Sequence, residues 1–167
     1  MSEDIEIRKM KENDVEQVME LVLRLKRLNA EFDSTFDVAE DSGDEIKQHL
    51  IDAAKDQKNF IVLVGVDGQK IVGIIKVDLH GRIYYKPKTE ARIVEFYIMP
   101  EYRRKNLGRM LMNEVYDELN KKGIRLVTAE FPALNLIALD FYKKIGYREI
   151  VSVYGKCVGE KGDKLEL

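Results

Sequence analysis

The sequence predicts an α/β protein (mixed α+β) whose central mixed, mostly antiparallel sheet has about seven strands, with helices on both faces. Three observations carry that prediction. Segments rich in β-branched and aromatic residues alternate with segments whose apolar residues recur every three to four positions. Asp67-Gly68 joins two of the strand-like segments at a spacing that suits a tight hairpin. One further strand-like segment, 93–98, runs through a basic turn into a helical pattern that begins at Leu107. The order β-α-α-β-β-β-α-β-α-β-β is that of a sheet with helices packed on it.

Each element has its own warrant. Residues 5–10 alternate with period two, as a half-buried strand does. Asn13 stands where an N-cap is expected, with Glu16 three residues on, and Val15, Val18, Met19, Val22 and Leu25 trace one helical face. Ser42-Gly43-Asp44-Glu45 has the capping-box pattern ahead of a second helix carrying Ile46, Leu50 and Ala54. Residues 60–66 and 71–79 are the hairpin strands. The helix over 107–122 places Leu107, Met110, Leu111, Val115 and Leu119 on one face, and stops at Gly123 behind Lys121 and Lys122. A strand over 125–131 ends at Pro132. A last helix places Ile137, Ala138, Phe141 and Ile145 on one face, with Phe141 read as core, and stops at Gly146. Residues 147–154 read as a strand, and 157–158 with 165–167 as a final short pair.

Composition narrows the function classes. A chain of 167 residues suits a single domain, 1–167, with a sizeable core. Its net charge of −2 and one short basic cluster give little footing for nucleic acid or an anionic membrane. Cys157 is the only cysteine, so no internal disulfide forms, and a cytoplasmic location is expected. His49, His80 and Cys157 have no zinc-ligand spacing, so no metal is expected.

The chemistry concentrates in one stretch. Between the strand at 93–98 and the helix at Leu107 lie Arg103, Arg104, Lys105, Asn106 and, one residue into the helix, Gly108. Asn and Gly tolerate left-handed backbone, and such a turn aims free N–H groups at one point in the positive field of the helix dipole. That is an anion seat, suited to a pyrophosphate. Neither a P-loop nor a G-x-G-x-x-G turn occurs in the chain. The stretch Arg103-x-x-Asn106-x-Gly108, with Tyr102 and Arg109, resembles the [Q/R]-x-x-G-x-[G/A] signature of the GNAT superfamily of acetyl-CoA-dependent N-acetyltransferases. Asn106 departs from the usual Gly. Downstream, Asn135-x-x-Ala138-x-x-Phe141-Tyr142-x-x-x-Gly146-Tyr147 is similar to that superfamily's second block.

The resemblance implies a GNAT domain with acetyl-CoA as cosubstrate and direct attack by a primary amine in a ternary complex. It implies that Arg103, Arg104, Lys105 and Arg109, with the backbone through Asn106, Leu107 and Gly108, hold the pyrophosphate. It further implies that the key strand bulges and splays, freeing N–H groups near Phe96, Tyr97 and Ile98 for the cofactor and thioester oxygen. Asn135 caps its helix and, by resemblance, contacts the pantetheine arm. Tyr142 lies near the sulfur as the acid.

An incoming ammonium must lose a proton, and a carboxylate in the cleft can take it. Glu95 interrupts an apolar strand and is the first candidate; Glu130, on the neighbouring strand, is the reserve. Seven carboxylates and no Lys or Arg lie between Glu31 and Glu45, a segment suited to a polyamine, an aminoglycoside or another small cationic amine. Tyr84 and Tyr85 either line the same mouth or cover the sheet. A protein N-terminus or lysine remains an alternative acceptor, as does a non-catalytic acyl-CoA-binding sensor. The partner is thus a small-molecule or peptide amine, without nucleic acid or membrane, and a homodimer is compatible with the sequence.

Overall fold

A computed structural model describes residues 4–159 of the protein. The chain runs β1 (Glu6–Lys9), α1 (Val15–Phe32), α2 (Gly43–Lys55), β2 (Phe60–Asp67), β3 (Lys70–Gly81), β4 (Thr89–Ile98), α3 (Leu107–Lys122), β5 (Leu126–Ala129) and α4 (Leu136–Lys144). The strands lie in chain order, β1-β2-β3-β4-β5. The first four are antiparallel neighbours, and β5 pairs parallel to β4 after the α3 crossover. The mixed, mostly antiparallel sheet is therefore present, with five strands among the described residues rather than about seven. Residues 147–154 form no strand: Tyr147 packs on the core, and residues 148–154 are exposed, with no strand beyond the outer edge of β5 among the described residues. A period-two pattern confers the capacity to pair, and here the chain offers that segment no partner. Residues 157–158 are likewise not a strand, and 165–167 lie outside the described residues.

The hairpin is as the sequence suggests. Asp67 faces Lys70 across a two-residue turn in which Gly68 takes φ 62°. The first helix starts differently. A 3₁₀ turn over Glu12–Asp14 precedes it, and Asp14, not Asn13, stands at its N-cap. Asp14 is buried because Arg8 of β1 grips it at 2.6 and 3.0 Å while the Lys11 N–H donates to it at 2.8 Å. At α2 the Ser42 side chain makes no cap hydrogen bond, so the capping box is not formed.

Every residue from Ile61 to Val66 and from Ile71 to Val77 is buried, so the middle of the sheet is covered on both faces. One face takes α3. Gly65 and Gly73, paired across β2 and β3, both point at Leu107, and a Cβ on Gly65 would sit 2.7 Å from a Leu107 methyl. The two glycines form the recess that lets the start of α3 lie against the sheet. The opposite face is left to α1 and α2, which pack on each other and on β2, β3 and β4.

Candidate functional site

The site begins with an irregularity in β4. Val77 faces Ile93 and Lys76 faces Glu95, which leaves Val94 as an extra residue and makes a β-bulge. Pairing with β5 ends at the same place. Ile93 is the last β4 residue opposite β5, and the final link is the Glu130 N–H donating to the Ile93 carbonyl at 3.1 Å. From Glu95 onward β4 keeps only β3 as a neighbour. The Met99 N–H donates to the Val72 carbonyl, so by alternation Tyr97 also turns its backbone toward β3. Phe96 and Ile98 turn theirs the other way, into the gap that β5 has left. Of the three predicted donors, two face the gap and Tyr97 does not.

Beyond β4, a 3₁₀ turn over Pro100–Tyr102 is tied back to the hairpin by the Tyr102 hydroxyl, which donates to Asp67 at 2.5 Å. Asn106 then takes φ 63°, the one positive φ outside glycine among the described residues, and serves as N-cap of α3 with no side-chain hydrogen bond to the helix. The first N–H groups of α3 are thus left without a capping side chain, the condition an anion needs. Arg103, Arg104, Lys105 and Arg109 are all exposed around that point. Arg103 is steered by the Ile98 carbonyl at 3.1 Å and lies 5.6 Å from the Tyr97 ring centroid. Leu107 contributes backbone only, since its side chain is core. Gly108 packs under β4: a Cβ there would meet Ile98 at 3.1 Å and Phe96 at 3.5 Å.

Glu95, next to the bulge, is a largely covered acid held against α1. Its side chain is 12% exposed, and its Oε1 accepts from Lys26 of α1 at 2.6 Å. Its Oε2 is buried with no hydrogen-bond partner among the described residues. Burial raises the Glu95 pKa, opposed by the nearby positive charges of Lys26 and Lys76. Glu130 differs in every respect. Its side chain is 59% exposed and, among the described residues, its one ion-pair partner is Arg92, at 3.9 Å.

Tyr142 is the sole buried residue of α4, at 8% exposure, whereas Phe141 is 39% exposed. Of the predicted inner face only Ala138 packs on the core; Ile137, Phe141 and Ile145 are exposed, and the buried side is centred on Tyr142 instead. A 3.6-residue period finds an apolar stripe but not which side has a neighbour, and among the described residues no strand covers this one. Tyr142 stacks on Phe131 at 5.4 Å and meets Phe141 and Tyr147 at 5.1 and 5.2 Å. The Tyr147 and Tyr116 hydroxyls share a hydrogen bond at 2.7 Å. Burial, with a smaller effect of Tyr116, pushes the Tyr142 phenol above its ordinary range, so it stays protonated. Asn135 caps α4, its Oδ1 accepting from the Ala138 N–H at 3.1 Å. Phe96 on β4 lies 6.1 Å from Phe141, which brings α4 to the side of the gap.

Lys26 is the residue that sequence reasoning missed. It lies four positions after Val22 and three before Asn29, both buried, so it is a cation on the inner stripe of α1. A charge at such a position is a readable signal that an opposite charge waits beneath it. Among the described residues no group of three or more His, Cys, Asp or Glu side chains is arranged to hold a metal ion.

Together these features define an open-sheet α/β protein with an anion-receptive helix start beside a splayed strand pair. Residues 24–147 match the acetyltransferase (GNAT) family, and the chain belongs to that family. A [ribosomal protein bS18]-alanine N-acetyltransferase from Escherichia coli strain K12 is 35% identical over 60 residues, which are 36% of this chain and 40% of that protein. The match thus spans less than half the length of that relative. Among solved structures, the PaiA N-acetyltransferase from Thermoplasma acidophilum in complex with coenzyme A superposes with a TM-score of 0.68 at 21% identity, over 87% of this chain and 90% of that one. The aminoglycoside acetyltransferase meta-AAC0020, from an uncultured soil metagenomic sample, gives 0.66 at 24% identity over 92% and 97%. At those identities the likeness is one of fold.

Proposed function

We propose that the protein is an acetyl-CoA-dependent N-acetyltransferase, a single domain over 1–167, that acts on a primary amine. The observation that carries this reading is the coincidence of three features at one strand end. They are the bulge at Val94, the gap beyond Ile93, and the uncapped left-handed turn at Asn106 among exposed cations. Family membership supplies the reaction class.

Acetyl-CoA would supply the acetyl group already activated as a thioester. The first N–H groups of α3, with Arg103, Arg104, Lys105 and Arg109, would hold its pyrophosphate. The Phe96 and Ile98 N–H groups would steady the cofactor arm and the developing negative charge on the acyl oxygen. Glu95, whose Oε2 has no hydrogen-bond partner among the described residues, would take the proton from the acceptor ammonium directly or through water. Tyr142, kept protonated by its surroundings, would deliver a proton to the departing sulfur. Asn135 would hold α4 in register and meet the pantetheine arm.

For the acceptor, the primary reading is a small cationic amine, of polyamine or aminoglycoside kind. Lys26, which touches Glu95, precedes the acidic segment at Glu31 by five residues, roughly 7 Å along a helix axis. Carboxylates thus begin close to the base. A protein N-terminus is the second reading, favoured by the 60-residue similarity to the ribosomal alanine acetyltransferase.

Thiol release from acetyl-CoA across polyamines, aminoglycosides, amino acids and an Ala-initiated peptide tests both. Release with the polycations alone, with an acceptor KM that rises steeply with salt, supports the first. Release with the peptide alone supports the second. Tight acetyl-CoA binding with no release from any amine would favour an acyl-CoA sensor over an enzyme.

A further inference from the structure

The amine that lies against Glu95 is the protein's own. Lys26 stands on the inner stripe of α1, with Val22 buried before it and Asn29 buried after it, and its Nζ lies 2.6 Å from Glu95 Oε1. The two ends of this pair differ in their access to water. The Glu95 side chain is 12% exposed and that of Lys26 is 39% exposed, so the lysine reaches the acid from the rim, with part of its length free to swing. A second lysine faces the same carboxylate. Lys76 pairs with Glu95 across β3 and β4, but its side chain is 3% exposed and Asp78 holds its Nζ at 2.5 Å. Lys76 is fixed in the sheet; Lys26 is the one that can move.

On the acetyl-transfer reading, Glu95 takes the proton of a primary amine, and the acyl oxygen sits at the N–H groups of Phe96 and Ile98. Phe96 follows Glu95 directly, so an amine on the Glu95 carboxylate already stands beside the acyl group. A reactant held in place reacts in a unimolecular step, with no encounter to wait for. A lysine ammonium in water has a pKa of about 10.4 and is a poor nucleophile near neutral pH. A carboxylate at 2.6 Å is the group that relieves it of a proton.

We propose that Lys26 is a self-acetylation site, the acetyl group of acetyl-CoA passing to Lys26 Nζ of the same chain when no better acceptor is present; the activity rests on the acetyl-transfer reading. The nitrogen forms its bond to the acyl carbon, and the carbon–sulfur bond of the thioester breaks with its electron pair on sulfur. Of the three protons on the ammonium, one passes to Glu95 and on to solvent, and one stays on the amide. The third leaves as the amide forms and balances the proton that the departing sulfur takes from Tyr142. The acetylated side chain carries no charge and cannot pair with Glu95. Modification therefore releases the acid from α1 and leaves it beside Lys76, which Asp78 already engages.

The test incubates native protein with acetyl-CoA and no added amine, at several protein concentrations, and locates the acetyl group by peptide mass mapping. Lys121 gives the baseline, since its side chain is 72% exposed and its partner Glu118 lies 3.7 Å away. Lys26 should gain its acetyl group roughly tenfold or more faster than Lys121, with a half-time independent of protein concentration. In Glu95→Gln the Lys26 rate should fall to that of Lys121. In Lys26→Arg, which keeps a cation on Glu95, the fast-labelled peptide should carry no acetyl group. A parallel sample with the panel of amines separates two failures. Lys26 labelled no faster than Lys121, while an added amine is acetylated, would overturn self-acetylation and leave the acetyl-transfer reading standing. A rate that rises in proportion to protein concentration would mean transfer between chains and would overturn it too, as would fast labelling that survives Glu95→Gln. Acetylation of neither an added amine nor Lys26 above the Lys121 baseline would remove both.

Discussion

At the scale of single residues, the proposed chemistry rests on Glu95 and its partner Lys26. A carboxylate that keeps one oxygen on an ammonium and the other buried without a partner is charged at a cost, and that cost makes it a better proton acceptor. Glu95→Gln should lower kcat/KM by about 10²–10⁴-fold, the usual contribution of a positioned base, with acetyl-CoA binding within a few-fold of native. Because burial raises the Glu95 pKa, the native rate should climb with pH through a value above the ordinary carboxylate range. That limb should vanish in the variant. Tyr142→Phe should slow turnover far more than it weakens acetyl-CoA binding, and an unchanged kcat would remove it from the acid role. Asp14 gives a purely structural prediction. The Arg8 hydrogen bond and ion pair hold its pKa below the usual value, so it contributes stability above about pH 4 that is lost as pH falls through its folded pKa. Asp14→Asn should destabilise by about 1–3 kcal/mol at pH 7 in urea denaturation, and the difference from native should shrink in acid.

On the proposed reading, the element that would decide cofactor binding is the turn from β4 into α3, where backbone shape and helix position are set separately. Asn106 supplies the shape, at φ 63°. Asn106→Gly should retain acetyl-CoA affinity, whereas Asn106→Val, whose branched side chain resists that conformation, should lose on the order of tenfold or more. Gly65 and Gly73 supply the position by admitting Leu107. Gly65→Ile should be destabilised by about 1–3 kcal/mol or more through overpacking, read as a lower urea midpoint. The positive φ at Asn106 was legible in the sequence, because few residue types fit a turn before a helix. The glycine recess was not, because it depends on which strand residues come to lie opposite one another. Helix α4 was legible in extent and only in part in orientation, since Ala138 packs on the core as expected while Ile137, Phe141 and Ile145 do not. Its periodicity is correct, but the side that faces the core is fixed by Phe131, Tyr116 and Tyr147, residues brought there by β5, α3 and the chain beyond Gly146.

For the whole molecule, the sheet order and the hairpin follow from local signals: a two-residue turn, strand-length apolar runs and a helical crossover. The strand count does not, because whether residues 147–154 pair depends on a partner edge that no local pattern specifies. The same holds at the site. Glu95 stands out in the sequence as a charge in an apolar strand, while its pairing to Lys26 is a long-range contact between β4 and α1. The electrostatic layout is also a property of the whole fold. Exposed cations gather at one end of β4, and an acidic segment follows α1 in the chain. Removing Arg103, Arg104 and Lys105 together should weaken acetyl-CoA binding and flatten its salt dependence, with little change in the folded spectrum.

The central claim is that the gap beside β4 binds acetyl-CoA and that Glu95 in it activates an amine. Thiol release from acetyl-CoA by the native protein and by Glu95→Gln, with the best acceptor and across pH, tests it most directly. The account predicts release by the native protein on a rising pH limb, and a variant that binds acetyl-CoA yet releases thiol at least about a hundredfold more slowly above that limb, with the difference narrowing below it. Equal rates in the two proteins, or no binding of acetyl-CoA by either, would contradict it.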